Sequence, residues 1–191
     1  MSRERAPGGA GRGAGRVRLV EWVTGQCDPR KCTGRKIIRR GLAEGASSAR
    51  ALPRGAVVLD PRAEVALSPA DGRAARSSGL VALDCSWARV EESYGRAPLG
   101  KVGPARALPF LLAANPLHWG RAMELTTMEA FAAALWILGE AGQARELLGS
   151  YTWGEQFLVL NAEPLKAYAA CRTSSEVVAA QAEFGGVREE G

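Results

Sequence analysis

The sequence holds a single histidine, His118, among its 191 residues. Any device that needs an imidazole rests on that side chain, and "NPLHWG" (115–120) offers it no evident partner. Ser-His-Asp chemistry therefore has little to stand on. Glycine-rich phosphate loops of the form GxGxxG or GxxxxGK[ST] are missing, which removes the commonest nucleotide signatures. No apolar run approaches the ~20 residues that span a bilayer. The N-terminus is rich in Gly and Arg and has no apolar centre, so neither a membrane span nor a secretory signal is expected. The expected setting is soluble and cytoplasmic. Cysteine is sparse: Cys27, Cys32, Cys85 and Cys171, expected there as reduced thiols. Cys27 and Cys32 have four residues between them, with no second pair at zinc-finger spacing. A zinc site would need Cys85 or His118 as well, and no metal is expected.

What the chain does have is a core and an uneven charge. With 47% hydrophobic residues it can bury a core. Residues 1–54 hold 13 Arg/Lys against 4 Asp/Glu, a net of +9, and residues 55–191 hold 12 against 16, a net of −4. Arg outnumbers Lys strongly in the basic part, and its planar fork suits phosphate. The asymmetry points to a polyanionic partner, most simply nucleic acid. A solubilising tail with an Arg bias is the plainer alternative.

Patterning divides the chain into a Gly/Arg tail (1–15) expected to be disordered, an α/β part (16–106) and a helical part (107–191). Strands are expected at 17–23, 55–61 and 80–86. Between them lie a basic helix (35–45, ended near Gly45) and a Ser-capped helix (68–79) with Pro69 in its first turn. "GAVVLDP" and "LVALDCS" are continuously apolar, which favours a parallel sheet covered on both faces. Helical spacing then runs through 107–115, 126–139, 142–151, 153–171 and 174–185. Thr126 or Thr127 can cap the longest of these helices and Gly139 can end it. Loops touching both parts are the natural place for a ligand.

Asp84 ends the apolar run "LVAL", and Trp87 follows at three residues' distance. Parallel sheets bind ligands beyond the carboxyl ends of their strands. The shortage of acid/base groups suggests an electrophile that arrives activated, such as the sulfonium of S-adenosylmethionine. A carboxylate at that place offsets a sulfonium charge, and an indole forms an apolar wall tolerant of a cation. Capping of "WARVEE" by Asp84 or Ser86 explains the carboxylate about as well, but not Trp87.

The segments "CDPRKCTG" (27–34), "LDCSW" (83–87), "RALPFLLAANP" (106–116), "MEAFAAALWILG" (128–139) and "WGEQFLVLN" with "LKAY" (153–168) go further. Together they resemble the small-subunit ribosomal RNA aminocarboxypropyltransferases of archaea and eukaryotes. The resemblance implies a SPOUT-like fold, with a parallel-sheet N-terminal domain and an all-helical C-terminal domain threaded through it in a deep trefoil knot. It also implies S-adenosylmethionine as co-substrate and small-subunit rRNA as partner. The reaction implied is transfer of the 3-amino-3-carboxypropyl group to N3 of an N1-methylpseudouridine, with 5′-methylthioadenosine leaving.

By the same resemblance, Thr33 lies at the aminocarboxypropyl tail, Leu83 at the ribose and Asp84 at the sulfonium. Trp87 closes around the methyl group and Leu108 binds adenine through its backbone. Met123 stands where the family commonly has an aromatic, Thr127 follows one turn on, and Trp119 replaces a usual Tyr. A turn hydroxyl for Thr33, core packing for Met123 and an N-cap for Thr127 are the structural alternatives. Arg30, Lys31, Arg35, Lys36, Arg39 and Arg40 are the candidate phosphate contacts, with solvated charge as the alternative. An RNA methyltransferase using the same cofactor, or a non-enzymatic rRNA-binding assembly factor, would share many of these features. No clear apolar seam marks the acidic helical part, so a monomer is favoured.

Overall fold

Strands form where the sequence is apolar without alternation, because such a run cannot leave either face in water. In the computed structural model, which describes residues 16–25, 32–85, 87–96 and 99–185, five strands make one sheet. They are β1 (Leu19–Val23), β2 (Glu44–Ala46), β3 (Val57–Leu59), β4 (Leu80–Asp84) and β5 (Ala105–Arg106). All pairings are parallel, in the order β2-β1-β4-β3-β5. β3 and β4 are buried at every residue. Cys32, Cys85 and Cys171 are free thiols.

The intervening helices are α1 (Thr33–Arg39), α2 (Gly72–Ser78) and α3 (Val90–Arg96). After them come α4 (Thr127–Ile137), α5 (Ala141–Leu148), α6 (Gly154–Leu160), α7 (Ala162–Ala170) and α8 (Ser174–Gln181). No helix among the described residues is long and apolar enough to cross a membrane. Ser68 and Asp71 form a capping box around Pro69 ahead of α2. Thr126, not Thr127, caps α4, reciprocally with Glu129. Gly139, at φ +86°, follows the end of α4.

The expected split into a sheet domain and a separate all-helical domain does not hold. α4 is apolar over most of its surface, and Met128, Phe131, Ala132, Ala133, Ala134 and Leu135 are fully buried. It packs on β4 and α1 as well as on α5 and α7. One core therefore joins Leu19, Val57, Leu80 and Ala82 of the sheet to Phe131, Leu147, Phe157 and Tyr168 of the helices. The opposite face of the sheet has its own core, with Val20, Val58, Val81 and Leu83 packed against Tyr94, Leu99 and Val102. The architecture is a mixed α/β one. A SPOUT-like fold with a deep trefoil knot is not supported by the described residues.

Three local expectations also change. The basic helix stops at Arg39, Gly41 turns at φ +70°, and residues 44–46 pair with β1 as a strand instead. The helix expected over 153–171 is broken at Asn161, which separates α6 from α7. Residues 107–115 are not helical. Side chains from three helices (α4, α7 and α8) and from Asn161 at the α6–α7 break take the hydrogen bonds of their backbone. Phe110 N–H donates to Gln181 Oε1 (2.8 Å), and Phe110 O accepts from Tyr168 OH (3.0 Å). Leu112 bonds Asn161 through both its N–H (2.8 Å) and its carbonyl (2.9 Å). Ala114 and Asn115 N–H both donate to Glu129 Oε1, at 2.7 and 3.0 Å. Buried backbone groups need partners from somewhere, and polar residues in the helices and at the α6–α7 break supply them.

Candidate functional site

The carboxyl ends of β3 and β4, the start of α1, the 107–118 segment and the entry to α4 enclose a cleft of about 710 Å³. This is where a parallel sheet offers its ligand site. Thr33, Leu83, Asp84, Trp87, Leu108, Met123 and Thr127 all line it. The structure thus brings every proposed cofactor residue into one place.

Asp84 closes β4 and is 4% exposed. Its carbonyl accepts from Thr24 Oγ1 at 2.5 Å, and its Oδ2 accepts from the Cys32 thiol at 3.4 Å. Cys32 is the N-cap of α1 and its sulfur accepts the Arg35 N–H at 3.4 Å. Burial pushes the Cys32 thiol up to about 11, so it stands as a neutral donor to Asp84. The Trp87 indole is fixed at its far end: Nε1–H donates to the Leu125 carbonyl at 3.0 Å. That bond ties the segment after β4 to the entry of α4. Met123 is the non-glycine residue with positive φ among the described residues, at 63°. Its N–H reaches the Leu111 carbonyl at 2.8 Å. A strained backbone held in this way beside a cleft is a common property of binding sites.

The basic residues separate. Arg30 and Lys31 lie outside the described residues, as do Cys27 and Ser86. Lys36 and Arg39 line the cleft. Arg39 and Arg40 are exposed. Lys36 is half-buried, with its Nζ 3.7 Å from the centre of the Tyr151 ring, a cation–π contact. Arg35 is half-buried too, and its Nε finds no hydrogen-bond partner.

Several features were not anticipated. His118 does have a partner, the Glu124 carboxylate, which Arg121 also approaches. Tyr94 OH donates to the Leu59 carbonyl at 3.0 Å, and the Arg106 guanidinium meets Asp71 at 2.8 Å. Trp119 is 57% exposed and does not line the cleft. Most unexpected is Glu21, in the middle of β1. It is fully buried, and neither carboxyl oxygen has a hydrogen-bond partner. Its signal was present in "VEWV", an acid inside an otherwise apolar strand.

An apolar cleft of this size, with Leu59, Leu83, Trp87, Leu108 and Leu125 as walls and Asp84 as a buried carboxylate, fits a nucleoside joined to a cationic tail. Fold and cleft together define a parallel-sheet α/β protein with its ligand site at the strand ends. The family described as "Ribosome biogenesis protein, C-terminal" matches residues 57–185. The 16S rRNA aminocarboxypropyltransferase of Methanosarcina acetivorans is 47% identical over 88% of this chain and 94% of its own length. That of Halobacterium salinarum is 54% identical over 82% and 90% respectively. The solved structure of the SAM-dependent rRNA:acp-transferase Tsr3 from Vulcanisaeta distributa superposes with a TM-score of 0.79 at 42% identity, covering 84% of this chain and 86% of that one. The chain belongs to the 16S rRNA aminocarboxypropyltransferase family. A "Possible Fer4-like domain in RNase L inhibitor" also matches residues 17–44. That stretch has only Cys27 and Cys32, whereas an iron–sulfur cluster takes four ligands.

Proposed function

We propose that the cleft binds S-adenosylmethionine and that this protein transfers its 3-amino-3-carboxypropyl group to small-subunit rRNA during ribosome assembly in the cytoplasm. The finer reading takes N3 of an N1-methylpseudouridine as acceptor, with 5′-methylthioadenosine leaving. The observation that carries it is the convergence of Thr33, Leu83, Asp84, Trp87, Leu108, Met123 and Thr127 on one cleft. The co-substrate supplies a sulfonium with two transferable groups on the same sulfur, so the outcome is set by which carbon faces the acceptor. Trp87, anchored through Leu125, walls off the methyl side and leaves the longer chain open. Asp84 offsets the positive charge in a place shielded from water. Leu83 and Leu108 hold the nucleoside part, and Thr33 holds the amino-acid tail. Lys36 and Arg39, which line the cleft, and the exposed Arg40 next to Arg39 take RNA phosphates.

The deciding experiment gives small-subunit rRNA to the protein with S-adenosylmethionine labelled separately in the methyl and aminocarboxypropyl groups, and reads the RNA by mass spectrometry. The aminocarboxypropyl label is expected in the RNA and the methyl label in the released thioether. Methyl label in the RNA would make the protein a methyltransferase. Cofactor binding without any transfer would leave a binding protein.

A further inference from the structure

Glu21 and Asp84 stand on adjacent parallel strands with Glu21 opposite Ala82 and Asp84 opposite Val23. They therefore project from the same face of the sheet, two positions apart. A carboxylate oxygen of Glu21, the Cys32 Sγ and a carboxylate oxygen of Asp84 all lie within 4.8 Å of one another. Cys32 and Asp84 line the cleft and Glu21 does not, so Glu21 sits directly behind them. Its space is closed by Gly34 of α1, where an added Cβ would fall 1.9 Å from Glu21 Oε1. The chain thus keeps a second, unpartnered carboxyl sealed beneath the one that faces the ligand.

We infer that Glu21 is a proton-linked partner of the co-substrate's charge: a sulfonium beside Asp84 drives a proton off this buried carboxyl, and the neutral thioether left after transfer lets it return. The inference rests on the cofactor reading above. Burial, and then repulsion from Asp84, push the Glu21 carboxyl up to about 8, against the pull of Arg35. The neighbouring Cys32 thiol and Tyr151 phenol are neutral, both held above their usual range chiefly by burial. Glu21 is therefore largely protonated near neutrality, and a nearby cation shifts it toward the anion. The balance closes over the reaction. The acceptor N–H bond breaks as the N–C bond forms, and the C–S electron pair goes to sulfur. One proton leaves the acceptor for each positive sulfur neutralised, and ionised Glu21 takes one up. Glu21 touches neither the ligand nor the acceptor. It acts through Asp84 as a positioning residue for charge.

The test is calorimetric titration of the full-length protein with S-adenosylmethionine and with S-adenosylhomocysteine, in buffers of low and high ionisation enthalpy. Both ligands carry the same amino-acid group, so its titration cancels in the comparison. The sulfonium ligand should release a fraction of a proton more than the thioether at pH 7. The preference for it should rise about three- to tenfold between pH 6 and pH 9. Glu21→Gln, similar in shape and uncharged, should lose both effects while still binding. Equal proton release for the two ligands in the natural protein, a comparison that needs no variant, overturns the inference. So does an unchanged pH dependence in Glu21→Gln. Failure of the natural protein to bind S-adenosylmethionine at any pH overturns the cofactor reading itself, and this inference with it.

Discussion

Glu129 holds Asn115 twice: its Oε1 accepts the Asn115 backbone N–H at 3.0 Å and its Oε2 accepts Asn115 Nδ2 at 2.9 Å. The same carboxylate takes the Ala114 N–H (2.7 Å), the Thr126 N–H (2.8 Å) and the Thr126 hydroxyl (2.9 Å). Both residues are buried. Asn115 and Thr126 line the cleft, so a helix N-terminus and an irregular segment are fixed to each other at its edge. Glu129→Ala would orphan the buried N–H groups of Ala114 and Asn115 and the half-buried N–H of Thr126. We expect a loss of about 3–5 kcal/mol in unfolding free energy, read from the urea midpoint. Glu129→Gln keeps shape but turns one acceptor into a donor, and should lose about half as much.

Gly34 shows why a helix can require glycine in its first turn. Glycine to alanine in a helix normally gains about 1 kcal/mol. Here the new methyl would meet the sealed Glu21 carboxyl at 1.9 Å. Gly34→Ala should therefore destabilise by about 2 kcal/mol. The same change in a Glu21→Ala background should be close to neutral, because the methyl then enters vacated space. Additive losses in that double-mutant cycle would show that the two positions do not share the strain.

The sequence revealed the parallel sheet because VVL and LVALD carry their burial in their own composition. It revealed the cleft residues because "LDCSW", the Leu108 segment and the 123–127 stretch could be recognised as a set. It did not reveal that residues 107–115 are non-helical. Their apolar spacing fits a helix, and the bonds that override it come from Asn161, Tyr168 and Gln181, far along the chain. β2 was hidden for a similar reason. Glu44-Gly45-Ala46 has no strand signature of its own, and its pairing to Val20–Trp22 makes it one. A change of pattern at residue 106 suggests a division into two domains. Pattern does not say what α4 packs on, and α4 packs on the sheet.

Trp87 makes two separable contributions. Its ring lines the cleft and its N–H bonds Leu125. Trp87→Ala should weaken S-adenosylmethionine binding by about 1–3 kcal/mol, since a large apolar wall is lost. Trp87→Phe keeps most of that wall and should lose only about 1 kcal/mol, the worth of the hydrogen bond. Calorimetry at one pH distinguishes the two. Affinity unchanged in the alanine variant would remove Trp87 from the site.

Arg39 and Arg40 are the exposed members of the basic group on α1 and at its end. Replacing both by Gln should lower rRNA affinity and reduce the slope of log affinity against log salt by about one unit for each phosphate contact removed. The fold should be unaffected, because neither side chain is buried. An unchanged slope would assign the pair to solubility.

Stability should carry the mark of Glu21. In the unfolded chain its carboxyl titrates near the ordinary value of 4.5, and in the folded protein at about 8. Below the lower value both states hold the proton and pH has no effect through this group. Between the two values the folded state keeps a proton that the unfolded chain releases. Stability therefore falls as pH rises, by about 1.4 kcal/mol per unit at most. Above the upper value both states are ionised and the loss, a few kcal/mol, is complete. Glu21→Gln removes this dependence. The variant should match the natural protein near pH 4.5 and exceed it at pH 8.5, in thermal midpoints taken without ligand. Saturating S-adenosylmethionine, by supplying a cation beside the pair, should shrink the difference at pH 8.5 more than S-adenosylhomocysteine does. Parallel stability profiles for the two proteins across this range would mean that the folded state does not retain the Glu21 proton.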